Sequence, residues 1–159
     1  DWVCLVPEKR EEKTTEGGLN LEKSDVFLQV KKQCEKMKKY RPQIRISLFL
    51  EAQESVLSKA CQLPIDAVEI HTGAYAISFL QEKELTQYID SFRMAQQFLN
   101  EKNIGCHAGH GLTHKSLKRL LEEGLFSEYN IGHWIVAESL FMGLGSVVKS
   151  IKGLIDDYR

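Results

Sequence analysis

Short apolar runs alternate with longer stretches of helical periodicity along the chain, and this alternation restricts the possible folds more than any other feature. Five runs are predicted as strands, at residues 3–7, 45–50, 67–71, 103–107 and 129–133, and a helical pattern follows each of them. Strands that alternate with helices pair in parallel through right-handed crossovers. The sequence therefore predicts an α/β fold built on a parallel sheet.

Two parallel architectures fit this order, an open doubly wound sheet and a (β/α)₈ TIM barrel of which only part is present. Five units are too few to close an eight-stranded barrel, which needs about 200 residues or more. The chain has no initiator Met and its first residues already read as a buried strand, which favours a barrel whose first strands precede Asp1. We expect residues 1–159 to form a single domain, roughly strands 4–8 of a TIM barrel with an extra C-terminal helix.

Local signals suggest where three elements begin or end. Ser24 is a candidate N-cap of the first helix, and Gly124 is a candidate stop for the helix that carries Leu117. Residues 72–75 are expected to form a loop before one long helix that continues to Leu99.

Charge and hydropathy exclude some classes of partner. Lys and Arg number 21 against 22 Asp and Glu, a net charge of −1, so no nucleic-acid partner and no binding to an acidic membrane are expected. Glu138 and Lys149 interrupt the longest apolar candidate for a membrane span. The four cysteines include no C-x-x-C pair, which favours reduced, packed thiols in a cytosolic protein, so a cytoplasmic location is expected.

Acid–base side chains concentrate after the predicted strands. The carboxyl ends of parallel strands form the functional edge of such folds. The residues at this edge are Glu8, Glu51, Glu69, His71, His107, His110 and His133. We therefore expect one site at this edge.

The segment CHAGHGLTH, residues 106–114, holds three of the five histidines. His107, His110 and His114 could ligate zinc, but only a continuous helix would place the last two on one face. Gly109 and Gly111 flank His110 and favour a tight loop instead. Metal binding is therefore the weaker interpretation, and the expectation is that the site holds no metal.

Glycines between a strand and a helix let the backbone approach a ligand, and the helix N-terminus beyond them suits a phosphate. The same order recurs at NIGH, residues 130–133. The loops after the last two strands of a barrel are its common phosphate site. The alternative is two ordinary turns with surface histidines.

On the third predicted strand, Glu69 and His71 share one face. If Glu69 points into a barrel, its carboxylate could stabilise developing positive charge or hold a substrate group. A paired structural carboxylate remains an equal alternative. His71 is predicted to be a hydrogen-bonded structural imidazole. The TTEGG segment, residues 14–18, could bind phosphate oxygens or close as a lid.

Four motifs resemble those of the pyridoxine 5′-phosphate synthase family, in the same order and at the same spacing. They are LVPEKREEKTTEGGLNL (5–21), VEIHTGAYA (68–76), HAGHGLT (107–113) and YNIGHWIVAESLFMGL (129–144). The resemblance covers essentially the whole chain and corresponds to the later part of that family's barrel.

The resemblance implies a (β/α)₈ barrel with extra helices that assembles as dimers within an octamer. It implies condensation of 1-deoxy-D-xylulose 5-phosphate with 3-amino-2-oxopropyl phosphate, which yields pyridoxine 5′-phosphate, inorganic phosphate and water. It implies no metal and no organic cofactor. Such a condensation needs proton transfers, for which a histidine is suited, and two anion sites.

The resemblance also implies roles for individual residues. His110 matches a proton-donating histidine, and Glu69 matches a carboxylate that stabilises the transition state. Thr14 matches a contact to the deoxyxylulose phosphate substrate. The matches to contacts with the amino-oxopropyl phosphate are Gly111, Gly132 and His133.

The sequence departs from the family pattern at His107, His114 and Trp134, where the family often has Asn, Tyr and a small residue. The family's other acid–base residues and its substrate-binding arginines lie on earlier strands, so the 159 residues alone are expected to be inactive. Two other functions stay open at this point. One is a metal-dependent hydrolase that uses the histidine cluster, and the other is a non-catalytic barrel remnant that binds phosphorylated ligands.

Overall fold

The computed structural model describes residues 1–7 and 17–158, and within them five parallel strands form one sheet in the order β1-β2-β3-β4-β5. The strands are β1 (Trp2–Leu5), β2 (Arg45–Leu50), β3 (Ala67–His71), β4 (Gly105–Gly109) and β5 (Glu128–Asn130). Spatial order equals sequence order, as in consecutive strands of a barrel. The sheet and its helices form an α/β half-barrel, which confirms the predicted class and parallel pairing.

Helices follow the strands on the outer side of the sheet. The described residues form α1 (Ser24–Tyr40), α2 (Glu54–Ala60), α3 (Gly73–Leu80), α4 (Thr86–Asn100), α5 (His114–Glu123), α6 (His133–Met142) and α7 (Leu144–Asp156). None of these helices is long and apolar enough to cross a membrane.

The two faces of the sheet differ in chemistry because successive side chains point to opposite sides of a strand. Val68 and Ile70 of β3 are fully buried in the core that the sheet shares with α1, α2 and α4. The other face, which we call the concave face, carries Phe49, Glu69 and His107, which are paired in register across β2, β3 and β4. The polar side chains predicted to form a site therefore share one face.

The segment after β3 is helical from Gly73 onward, so the prediction of a loop at residues 72–75 is wrong for residues 73–75, and only Thr72, at the N-cap, is non-helical. Helix α3 begins at Gly73, and α4 is a separate helix that begins at Thr86. Gly73 was placed in that loop, but it occupies the first helical position. A Cβ there would lie 2.5 Å from Nε2 of His71 and 2.9 Å from Cδ2 of His110. The glycine is needed because two imidazole rings approach its Cα.

Other boundaries differ by smaller amounts. Ser24 is the first residue of α1, and Lys23 stands at the N-cap without a side-chain hydrogen bond, so the predicted Ser24 cap is wrong. The fourth strand extends to Gly109 rather than ending at residue 107, and the fifth ends at Asn130 because His133 begins α6. Gly124 ends α5 in the left-handed conformation, at φ 63°, as predicted.

Candidate functional site

A cleft of about 890 Å³ lies at the carboxyl ends of the strands. It contains five of the six residues predicted to form the site. They are Glu69, His110, Gly111, Gly132 and His133. The sixth, Thr14, lies outside the described residues, as does Glu8. The structure thus brings together residues from three separate motifs, which the sequence placed at one edge of the sheet.

Glu69 lies at the base of this cleft and is 9% exposed. Its Oε2 accepts a hydrogen bond from Nδ2 of Asn130 at 2.7 Å and one from Sγ of Cys4 at 3.4 Å. Burial raises the pKa of the Glu69 carboxyl, and the two hydrogen bonds act in the opposite direction. The arrangement holds a partly desolvated carboxylate, which interacts strongly with positive charge beside it.

Gly109 allows Glu69 to occupy this position. An added Cβ at residue 109 would collide with Oε1 of Glu69 and would lie 2.6 Å from its Cδ. The carboxylate therefore lies directly over the last residue of β4. This close approach explains why the motif HAGHG has glycine at its third position.

His110 follows β4 directly, and its backbone is held in the left-handed region at φ 77°. The hydroxyl of Thr72 lies 2.8 Å from both the Gly109 carbonyl and the His110 carbonyl, and it can donate to either. Such backbone strain in a non-glycine residue persists only where surrounding contacts fix it. Thr72 is fully buried and provides one of these contacts.

The ring of His110 is surrounded by aromatic and imidazole rings. Its centroid lies 5.0 Å from that of His71 and 6.2 Å from that of Phe49. Burial lowers the pKa of His110, and the proximity of His71 and His133 lowers it further. A neutral imidazole is therefore favoured, and it can exchange protons near neutral pH.

The N-terminus of α6 forms another part of the cleft. Gly132 is its N-cap residue, and no side chain caps this end. By contrast, the side chain of Thr113 caps α5 in a capping box with Ser116. A Cβ at Gly132 would meet no atom within 4 Å, so the approach to this end is open. Uncapped N–H groups and the helix dipole together favour an anion here.

Gly111 is constrained in both conformation and space. Its φ is 76°, and an added Cβ would lie 3.1 Å from Cβ of Ala76. Glycine adopts this backbone without strain. The loop between β4 and α5 can therefore turn tightly against α3 and present its backbone to the cleft.

The three histidines of CHAGHGLTH point to different surroundings. His107 is buried beside Trp2 and Glu128, on the concave face below the cleft, and His114 contacts Trp134. In residues 1–7 and 17–158, no group of three or more His, Cys, Asp or Glu side chains is placed to hold a metal ion. The geometry gives no support to the histidine-cluster hydrolase.

Several contacts of the site were not predicted from the sequence. Asn130 was part of the NIGH motif, but its hydrogen bond to Glu69 follows only from the pairing of β3, β4 and β5. Thr72 was placed in a loop, and the contact of its hydroxyl with the Gly109 and His110 carbonyls was not predicted. His71 was predicted to be a hydrogen-bonded imidazole, but its partner was not named. The structure places Nδ1 of His71 2.7 Å from Oε1 of Glu51.

The thiols follow the prediction in part. All four cysteines are free, and Cys34 and Cys106 are buried. Cys4 is exposed on the concave face rather than packed in the core. The sulfur is nevertheless partly desolvated, and this raises the pKa of Cys4 to about 12, as does the neighbouring Glu69, so the thiol is protonated and can donate to the carboxylate.

Comparison with known proteins gives one consistent family. The model of the family described as "Pyridoxal phosphate biosynthesis protein PdxJ" matches residues 1–157. A protein of Ehrlichia chaffeensis named pyridoxine 5′-phosphate synthase is 40% identical over 153 residues, which cover 96% of this chain and 60% of the relative. Proteins with the same name from Aquifex aeolicus and Zymomonas mobilis are each 38% identical and cover 98% and 99% of the chain.

The matched segment accounts for 64% of the Aquifex aeolicus protein and 59% of the Zymomonas mobilis protein. The chain thus spans about three fifths of the length of the curated relatives it matches. The match includes the segments that form the cleft, from the end of β3 to the start of α6. On this evidence the chain belongs to the family of the pyridoxal phosphate biosynthesis protein PdxJ.

Proposed function

We propose that these residues form the later part of the active site of a pyridoxine 5′-phosphate synthase. The reaction condenses 1-deoxy-D-xylulose 5-phosphate with 3-amino-2-oxopropyl phosphate and gives pyridoxine 5′-phosphate, inorganic phosphate and water. The proposal rests chiefly on one observation. In a chain of this family, Glu69, His110 and the uncapped start of α6 face the same cleft.

His110 is the proposed proton-transfer residue. Ring closure by condensation requires that hydroxyl and phosphate groups leave, and each departure is assisted by a proton. The lowered pKa of His110 makes its protonated form a stronger acid than an ordinary imidazolium and therefore a better proton donor to such a group. The hydroxyl of Thr72, at 2.8 Å from the His110 carbonyl, supports a fixed position for this donor.

Glu69 is proposed to stabilise positive charge that develops on the reacting carbon skeleton. A carboxylate in a partly desolvated position interacts more strongly with a nearby cation than one in water does. The hydrogen bonds from Asn130 and Cys4 hold its Oε2 in place and favour its ionised form.

The phosphate of the amino-oxopropyl substrate is proposed to bind at Gly132 and His133, with the backbone of Gly111 beside it. The support is the uncapped N-terminus of α6 and the open space around Gly132. The contact of Thr14 with the deoxyxylulose phosphate remains a prediction, since that residue lies outside the described ranges.

We also propose that the chain is one domain and supplies strands 4–8 of a complete (β/α)₈ barrel. The parallel order β1 to β5 and the polar concave face support this arrangement. A cytoplasmic location is part of the same proposal, supported by four free cysteines.

A homo-oligomer, with dimers assembled into an octamer by resemblance, completes the proposal. Helix α6 is apolar yet has no buried residue, and Leu140 and Phe141 are 82% and 86% exposed. A large exposed apolar helix face is typical of an interface. Phe141→Glu should lower the mass measured by light scattering during size-exclusion chromatography. An unchanged mass would contradict an interface at α6.

The function is tested in the full-length natural polypeptide, whatever residues flank these 159. Incubation with the two phosphorylated substrates should yield pyridoxine 5′-phosphate, measured by chromatography with fluorescence detection. His110→Gln should lower kcat at least 100-fold while substrate affinity changes little, because a proton-transfer group contributes about 10²–10⁴-fold.

His114→Gln is the matched control, since His114 contacts Trp134 and does not line this cleft. It should retain turnover within about threefold. Binding of both substrates without any product would instead indicate a non-catalytic binder. Full turnover by His110→Gln would contradict the role assigned to His110.

A further inference from the structure

Glu51 and His71 form a close pair at the carboxyl edge of the sheet. Glu51 follows β2, His71 ends β3, and Nδ1 of His71 lies 2.7 Å from Oε1 of Glu51. The hydrogen bond to His71 lowers the pKa of Glu51, so the carboxylate is ionised near neutral pH. An ionised carboxylate only accepts hydrogen bonds, which assigns the hydrogen to Nδ1 of His71.

A third group fixes the carboxylate of Glu51. The backbone N–H of Gly18 donates to the same Oε1 at 3.1 Å. Gly18 packs so closely against β2 that an added Cβ would lie 2.6 Å from the backbone nitrogen of Glu51. The carboxylate is thus held from two sides, although its side chain is 42% exposed.

The ring of His71 packs on His110. Their centroids are 5.0 Å apart and their planes make an angle of 64°, an edge-to-face contact. His71 is 14% exposed in its side chain, and His110, unlike His71, lines the cleft. Both rings lie over Gly73, where a Cβ would come within 3 Å of each. His71 therefore lies behind the residue that faces the substrate.

We propose that Glu51 and His71 are positioning residues that orient the imidazole of His110. The inference rests on the proposed function, because it assumes that His110 transfers protons to substrate. Glu51 orients His71 through Nδ1, and His71 restricts the ring of His110 by direct contact. Neither residue touches the substrate in this arrangement.

Charge on this pair also acts on His110. The groups near the two imidazoles are Glu51, which follows β2, Glu69 from β3 and His133 from α6. The proximity of His71 and His133 disfavours a proton on His110. Replacement of His71 by an uncharged residue removes one of these disfavouring groups. This change raises the pKa of His110.

A purely structural pair would only tie β2 to β3. The two interpretations separate through the variant His71→Asn, whose side-chain amide can still donate to Glu51 but has no ring to face His110. The pKa of His110 is measured in the full-length polypeptide by NMR titration of the histidine ring signals. Loss of the His71 ring predicts a rise of roughly half a pH unit, which checks that the two rings contact each other. The positioning role also requires kcat to fall while KM is kept, whereas a purely structural pair leaves kcat unchanged.

His114→Asn is the matched control and should leave the pKa of His110 unchanged, because His114 contacts Trp134 instead. In the turnover assay, His71→Asn should lower kcat about tenfold with KM within about twofold. Glu51→Gln keeps an acceptor for the Gly18 N–H, and it should likewise lower kcat while KM stays nearly unchanged. It serves as the second test if His71→Asn does not fold.

An unchanged His110 titration together with an unchanged kcat in either variant overturns the inference. The NMR readout needs no catalysis, so it separates this inference from the proposed function. Absence of product from the wild-type polypeptide would contradict the proposed function. Suppose instead that the wild type is active, His110→Gln is inactive and His71→Asn is fully active. This result would contradict only the positioning role.

Discussion

The amide of Asn130 donates a 2.7 Å hydrogen bond to Oε2 of Glu69, across the width of β4. The contact joins the start of the NIGH loop to the carboxylate in the VEIHTG motif. Burial opposes ionisation of Glu69, and this hydrogen bond favours it. Asn130 thus has a direct influence on the charge state of the cleft.

Asn130→Ala should therefore raise the pKa of Glu69 further. If ionised Glu69 is needed, the acid limb of the pH–rate profile moves to higher pH, and kcat/KM measured on that limb falls about tenfold, since a hydrogen bond to a charged group contributes about 1.5–3 kcal/mol. The measurement is kcat/KM from pH 5 to 9 in the full-length polypeptide. Asn100→Ala, at the exposed end of α4, is the control. An acid limb that does not move in Asn130→Ala would contradict this role.

Thr72 fixes the strained backbone of His110, so its hydroxyl should matter for both stability and rate. Thr72→Val keeps the shape but leaves the His110 carbonyl without this donor, at a cost of about 1–3 kcal/mol. The Gly109 carbonyl still accepts from the backbone N–H of residue 72. Urea unfolding should show this loss, and kcat should fall because the His110 ring is displaced. Thr72→Ser retains the hydroxyl and should recover most of both quantities. Equal behaviour of the Val and Ser variants would rule out the hydrogen bond as the cause.

Elements with strong local patterns were predicted well. The bounds of β2 and β3 match the predicted 45–50 and 67–71, because both strands are apolar runs bounded by polar or proline-containing turns. Gly124 was identified as a helix stop because a left-handed C-terminal residue is a local requirement. The position of acid–base residues at one edge followed from the parallel order alone.

Contacts that depend on the register between strands were not predictable from one sequence. Glu69 meets Asn130 because β4, which separates their strands, has Gly109 at the level where the carboxylate crosses. Gly73 looked like a loop residue, yet two imidazole rings pack against its Cα and leave no space for a side chain. In both cases glycine reflects a tertiary approach, whereas sequence patterns associate it with turns.

Asp66 connects α1 to the sheet at the end opposite the cleft, and its loss should affect stability. Its Oδ2 accepts hydrogen bonds from Nζ of Lys38 at 2.7 Å and from the backbone N–H of Ile46 at 2.8 Å. Asp66→Ala should lower the free energy of unfolding by about 1–2 kcal/mol. Asp90→Ala removes only an exposed pair with Arg93 and should cost less than about 0.5 kcal/mol. Urea denaturation compares them, and equal losses would count against the Asp66 role.

Gly109 offers the sharpest test of the Glu69 position, because the carboxylate occupies the space where a side chain would be. In Gly109→Ala, the new Cβ must displace Glu69 or push β4 from β3. Displacement of the carboxylate should lower kcat more than tenfold, and overpacking should cost about 1–3 kcal/mol of stability. Gly153→Ala in α7 is the matched control. A Cβ there meets no atom within 4 Å, so it should stabilise the helix by up to about 1 kcal/mol and leave turnover unchanged. If Gly109→Ala retained wild-type kcat, the observed position of Glu69 would not be the one used in the reaction.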